Sequence, residues 1–246
     1  MSQEQNLIPV FEPQIGADTL KAVSDAFEIG WLGMGATTRA FEQGIGAWLG
    51  AVDRQVIATN TGTSALHIAV VVAGVEPGDE VIVPSFNFIA DHQAISAEGA
   101  TPVFCDILEE NLGIDPDKVA ASVTERTKAI MPFHYGGVPC KLNDVFEVAD
   151  IHGLRVIEDA THAFGTHRRQ EVRLVRRHRL LLLRFGKGHH LYRQRRSVVI
   201  PDRDDAQRAK RFRLLWTRTR KSRYQNKRAW DYDVVSKHQA RPLSAR

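Results

Sequence analysis

Cysteine is nearly absent: Cys105 and Cys140 are the two in 246 residues, and they have neither CxxC nor zinc-ligand spacing. That excludes a disulfide scaffold and a structural zinc site, and it suits a cytoplasmic chain with free thiols. No run approaches the roughly 20 consecutive apolar residues of a membrane span. The opening MSQEQNLIPVF lacks both a basic n-region and an apolar h-region, so no secretory signal is expected. Neither GxxxxGK[ST] nor GxGxxG occurs, which argues against nucleoside triphosphates and dinucleotides. His178, His189 and His190 lack metal-ligand spacing, so no metal site is expected.

Charge of one sign is scarce in each part of the chain. Residues 1–166 carry 8 Lys+Arg against 23 Asp+Glu, a balance of −15. Residues 167–246 carry 25 against 6, a balance of +19. A basic tail of this kind ordinarily suggests nucleic-acid binding.

The remainder is patterned as a globular domain, with 43% hydrophobic residues to build a core. Asp18–Ile29 and Thr38–Leu49 have helical apolar spacing, separated by the glycine-rich GWLGMGATT. Short strands are expected at Val56–Ala58, Glu80–Val83, Thr101–Asp106, Ala129–Phe133 and Arg155–Asp159. Helices are expected after residue 60 and at Ile89–Glu98, Pro116–Ser122 and Leu142–His152. Strands alternating with helices of about 8–15 residues indicate βαβ units and a mainly parallel sheet in a three-layer α/β/α domain.

Ligands of such sheets bind outside the carboxyl ends of the strands. Leu154–Thr166, LRVIEDATHAFGT, brings Glu158 and Asp159 to one such end, with His162 three positions on. Asp159 reads either as a site acid or as a helix N-cap. In Asn60–Leu66, NTGTSAL, backbone N–H groups and the hydroxyls of Thr63 and Ser64 form either a phosphate cradle or an ordinary cap. In Pro84–Ala90, PSFNFIA, Phe86 and Phe88 share one side if the strand continues, as core or as a plate for a planar ligand. His134 and Gly136 close another strand at the same edge. Together these describe a site for a planar, phosphorylated, heteroaromatic cofactor.

GWLGMG, NTGTSALHIA, GDEVIVPSFNFIA, GATPVFCDI, RTKAIMPFHYGG and VIEDATHAFGT, in that order, resemble the DegT/DnrJ/EryC1/StrS sugar aminotransferases. Those are fold-type I enzymes that use pyridoxal 5′-phosphate, and the resemblance runs from about residue 7 to 166. It implies that Gly62 and Thr63 hold the cofactor phosphate and that Phe88 stacks on the pyridine ring. It implies that Asp159 pairs with the ring nitrogen, that His162 lies beside the ring, and that Trp31 lies near the substrate entrance. The implied reaction moves an amino group from an amino-acid donor, usually glutamate, to a keto group on a nucleotide-linked deoxysugar. The implied assembly is a homodimer in the cytoplasm. A related pyridoxal-phosphate sugar dehydratase has His in place of the lysine.

Beyond residue 166 the pattern breaks. The family has an SFGDI-type stretch, a CFSF-type strand, the lysine that binds the cofactor covalently, and GEGG. Here HRRQEVRLVRRHRLLLLRFGKGHHLYRQRR stands instead, and family-like sequence returns at 197–215 and 223–236. With Arg written CGN and Leu CTN, reading one nucleotide later turns each of Leu180–Leu183 into TNC: Phe, Ser, Tyr or Cys. GDIxCFSF is then one permitted reading of RRHRLLLLR. The expectation is a frameshifted translation of the catalytic segment over 167–196, with further slips at 216–222 and 237–246. Lys187 falls within a residue of the lysine column. The family's small C-terminal domain is expected to be missing, and an inactive remnant is an alternative to an active enzyme. Native spacing of the flanking motifs weighs against a nucleic-acid-binding tail.

Overall fold

Three layers build the domain, with a seven-stranded sheet between two sets of helices. The computed structural model describes residues 16–31, 33–50, 54–163, 179–184 and 196–215, all within one compact unit. Helices α1 (Ala17–Glu28) and α2 (Ala36–Trp48) precede β1 (Gln55–Thr59). Then follow α3 (Gly62–Val72), β2 (Glu80–Pro84), α4 (Ile89–Ala97), β3 (Thr101–Cys105), α5 (Pro116–Ala121) and β4 (Thr127–Ile130). A 3₁₀ turn at Tyr135–Gly137, α6 (Leu142–His152) and β5 (Arg155–Ala160) come next. β6 (Arg179–Arg184), β7 (Arg196–Ile200) and α7 (Arg203–Leu215) complete the described elements.

The strand order is β1-β7-β6-β5-β4-β2-β3. All pairings are parallel except those of β7, which is antiparallel to both β1 and β6. Strands covered on both faces read as continuous apolar runs, and EVIVP in β2 is buried at every residue. One face packs Ile57, Val81, Met131, Ile157, Val198 and Ile200 against α3, α4 and α7. The other packs Ile82, Ile130 and Val156 against α5 and α6. Each such side chain contributes about 1.5–3 kcal/mol by leaving water.

The expected helices and strands appear with small shifts at their ends. The strand expected at Ala129–Phe133 stops at Ile130, and Phe133 rejoins the sheet through a single bridge to Asp159. Gly153 ends α6 with φ 66°, a left-handed cap that lets β5 start two residues later. The larger surprise is β6. Residues 179–184 lie in the stretch expected to be out of frame, yet they form a strand between β5 and β7. Four consecutive leucines supply the apolar run that a central strand requires, whatever the origin of the codons.

Candidate functional site

The carboxyl ends of β1, β2, β4 and β5 face the same edge, because these strands run parallel to one another through the sheet. Glu158 and Asp159 are consecutive in β5, so their side chains leave opposite faces. Glu158 Oε1 lies 2.8 Å from His134 Nε2, and both residues are buried. The Cys140 N–H donates to His134 Nδ1 at 3.1 Å, which leaves Nε2 to donate to Glu158. His134, expected as a polar group at the ligand edge, is thus turned inward and spent on a structural pair.

Asp159 is held from several sides. Its N–H donates to Pro132 O at 2.9 Å, and the His134 N–H donates to its carbonyl at 3.1 Å. Its Oδ1 accepts the Thr161 N–H at 2.8 Å. The other deeply buried acid of this edge is Asp91, in the first turn of α4. Asp91 is 1% exposed and Asp159 3%. Burial, and then the charge of Asp159, hold the Asp91 carboxyl well above the usual carboxylate range. Burial also raises Asp159, against the Thr161 hydrogen bonds and the charge of His162.

The rest of the edge is aromatic. β2 stops at Pro84, so Phe86 and Phe88 do not continue a strand. Neither is core: Phe86 is 45% exposed and Phe88, the residue that precedes α4, is 70% exposed. Phe86 meets Tyr135 at 4.8 Å between ring centroids, and Tyr135 lies 6.1 Å from His162. His162 also meets Phe133 at 4.9 Å, and its Nδ1 accepts the Gly136 N–H at 3.3 Å. His162 is therefore an exposed, oriented ring beside the buried Asp159.

At the start of α3, Thr61 is the N-cap, with its hydroxyl accepting the Ser64 N–H at 3.0 Å. Gly62 and Thr63 form the first turn, where helical N–H groups lack partners in the helix and suit an anion. This turn borders a cavity of about 1260 Å³ that reaches Thr38, Gln93 and Arg213. Trp31 is exposed, and its Nε1–H donates to Met34 O at 3.1 Å. Its ring lies so close to Gly35 that a Cβ there would sit 2.8 Å from it. Lys187 and the family-like stretch at 223–236 lie outside the described residues. Among the described residues, no group of three His, Cys, Asp or Glu side chains could hold a metal, and no helix is long and apolar enough to cross a membrane.

Sequence reasoning missed Asp91, Asn87 and Tyr135. Asp91 reads as an ordinary acid in a helix's first turn, where the helix dipole favours one. The one available signal was its place three residues after Phe88 in PSFNFIAD.

Comparison with known proteins gives the family. The model of the DegT/DnrJ/EryC1/StrS aminotransferase family matches residues 13–177. The spore coat polysaccharide biosynthesis protein SpsC of Bacillus subtilis (strain 168) is 42% identical over 173 residues, covering 70% of this chain and 44% of that protein. The dTDP-4-dehydro-2,3,6-trideoxy-D-glucose 4-aminotransferase of Saccharopolyspora spinosa is 38% identical over 160 residues, covering 65% of this chain and 42% of that one. A solved structure, DesV of S. venezuelae in complex with a ketimine intermediate, superposes with a TM-score of 0.74 at 32% identity. That match covers 84% of this chain and 55% of the solved one. The chain thus spans about half the length of the relatives it matches. The family's aminotransferases are pyridoxal-phosphate-dependent. With well over half of its residues matched, the chain belongs to the DegT/DnrJ/EryC1/StrS aminotransferase family.

Proposed function

We propose that the protein is a pyridoxal-phosphate-dependent sugar aminotransferase. It takes the amino group of an amino-acid donor, glutamate, and delivers it to the keto group of a nucleotide-linked deoxysugar. The observation that carries this is the buried Asp159 at the carboxyl end of β5, with His162 exposed three residues on. Two further features agree: the named relative that aminates a dTDP-linked keto-sugar, and the 42% identity to a polysaccharide biosynthesis protein.

The residues suit the cofactor. None of the ion pairs among the described residues joins a lysine or arginine to Asp159 or Asp91. A buried carboxylate without such a partner favours a protonated ring nitrogen beside it. Phe88 has a free face for stacking, and the first turn of α3 offers N–H groups to a phosphate. When bound, pyridoxal phosphate supplies the electron sink for breaking bonds at the amino-bearing carbon.

The chain's own groups then have these tasks. Asp159 holds a proton on the ring nitrogen. Gly62 and Thr63 hold the phosphate through main-chain N–H groups. Phe88 would cover one face of the bound ring and exclude water from it, and His162 would lie beside the ring. Lys187 is the candidate for the covalent lysine and for the base that moves the proton, by its column alone. Trp31 borders the entrance for the sugar nucleotide. The assembly is a homodimer in the cytoplasm.

The experiment is to incubate the protein with pyridoxal phosphate, glutamate and a dTDP-linked 4-keto-6-deoxysugar, and to follow products by mass spectrometry. The expected result is an amino-sugar nucleotide and 2-oxoglutarate in equal amounts. Loss of water without gain of nitrogen would assign a dehydratase instead, and no product at all would contradict transferase activity.

A further inference from the structure

His134 and Glu158 have no part in the roles above, yet both are buried beside the candidate site, at 5% and 4% exposure. Polar groups in such a place cost stability unless they are hydrogen-bonded, so where their bonds lead shows what they hold. After β4 the chain bends and reaches α6 through residues 131–141. His134 fastens that loop in three ways. Its main-chain N–H donates to the Asp159 carbonyl at 3.1 Å. Its Nε2–H donates to Glu158 Oε1 at 2.8 Å, and its Nδ1 accepts the Cys140 N–H at 3.1 Å. The ring therefore ties β5 to the far end of the loop.

Asp159 and His162 both lean on the same loop. The Asp159 peptide is gripped on both sides, since its own N–H donates to Pro132 O at 2.9 Å. His162 meets the Phe133 ring at 4.9 Å between centroids, and its Nδ1 accepts the Gly136 N–H at 3.3 Å. Gly136 has φ 59°, a left-handed conformation that glycine adopts without strain. The Gly137 N–H closes the turn on His134 O at 3.2 Å. We propose that His134 is the positioning residue of this site: by bridging Glu158 and Cys140 it holds residues 132–137 against the end of β5, and so fixes how Asp159 and His162 meet the ligand. The proposal deepens the pyridoxal-phosphate reading and rests on it only for the identity of the ligand. Glu158 is then the anchor of the loop. Consecutive residues of a strand leave opposite faces, so one acid of β5 serves the ligand and the other holds what surrounds it.

The test uses three variants of the full chain: His134→Gln, whose side-chain amide can still donate to Glu158, and His134→Leu and Glu158→Leu, which break the pair. The first readout is amide hydrogen exchange of the cofactor-free protein, followed by NMR. Rates at Gly136, Cys140 and Asp159 are taken relative to those at Ile57 and Val81 in the core strands. In both leucine variants that ratio should rise by about tenfold or more over wild type. The second readout is binding of pyridoxamine 5′-phosphate, followed by absorbance. Each leucine variant should bind about tenfold or more weakly, and the double variant no more weakly than either alone. His134→Gln should stay within about threefold of wild type.

An equal rise of exchange everywhere, with affinity unchanged, would mean that the pair only stabilises the sheet, and would overturn the proposal. Unchanged exchange at Gly136 and Asp159 would overturn it too, as would a His134→Gln protein that binds as weakly as His134→Leu. Absence of pyridoxamine phosphate binding in wild type would count against the cofactor reading, and the exchange ratios would still decide the positioning role. If His134→Leu does not fold, His134→Asn carries the same expectation, being able to accept from Cys140 but too short to reach Glu158.

Discussion

Residues 16–163 and the described pieces beyond them, 179–184 and 196–215, meet the same sheet by different routes. In the first region helices and strands alternate, acids outnumber bases, and the ends of β1, β2 and β5 lead into residues of the candidate site. In the second, a leucine run and a short strand fill the gap between β5 and β1. The backbone ladder asks only for an extended, apolar segment, and four leucines satisfy it. A catalytic site asks for particular side chains at the ends of such segments, and between β6 and β7 the sequence departs from the family pattern, which returns at 197–215. The requirements of the sheet are therefore looser than those of a catalytic site.

The sharpest way to break this comparison is the same cut in each region. Ile157 in β5 and Ile200 in β7 are fully buried in one cluster. Ile157→Ala and Ile200→Ala should each cost about 2–5 kcal/mol in urea unfolding. A full cost at Ile157 with none at Ile200 would mean that β7 is not part of the cooperative sheet.

Next in size is the tie between the regions. Arg213 in α7 reaches Glu42 Oε1 in α2 at 2.6 Å and donates to Ala58 O in β1 at 3.1 Å. Both partners of the ion pair are largely buried. Arg213→Ala should cost about 1–3 kcal/mol, since it leaves a buried carboxylate with one donor fewer.

The pH response should separate the two kinds of buried carboxyl in the first region. Hydrogen bonding from Thr124, then Arg126, holds Glu80 below its usual 4.5. Its contribution to stability is present above that value and is lost as pH falls through the folded-state pKa. Asp91 is raised above 3.8, so the sign reverses. Its contribution is fully present below the unfolded value and is lost as pH rises through the folded one. Thermal melts across pH 3–8 should show Asp91→Asn removing the loss on the alkaline side and Arg126→Ala weakening the gain on the acid side.

The smallest effect belongs to Lys21 and Asp25, an exposed pair at 2.9 Å on α1. Lys21→Ala should change stability by no more than about 0.5 kcal/mol. A larger loss would mean that α1 is held by more than its own surface.

Much of this was legible in the sequence because the signals are local. The turn NTGTSAL before α3, the acid ending β5, and Gly153 closing α6 each announce themselves within a few residues. What escaped is what depends on distance along the chain. Asp91 and Asp159 are far apart in sequence, and that Asp91 is as deeply buried as Asp159 follows from how α4 packs on the sheet. His134 looked like a site residue because it ends a strand. Whether it faces outward or toward Glu158 is set by the bend after Ile130. Phe86 and Phe88 looked paired on one side because the strand seemed to continue past Pro84.

The central claim is that Asp159 makes this sheet edge a pyridine-cofactor site. It is tested most directly by titrating wild type and Asp159→Asn with pyridoxamine 5′-phosphate, which carries no aldehyde and so needs no lysine. Wild type should bind with a dissociation constant at or below about 0.1 mM, and Asp159→Asn about tenfold or more weakly. Equal affinity in the two proteins, or no binding by wild type at millimolar ligand, would contradict it.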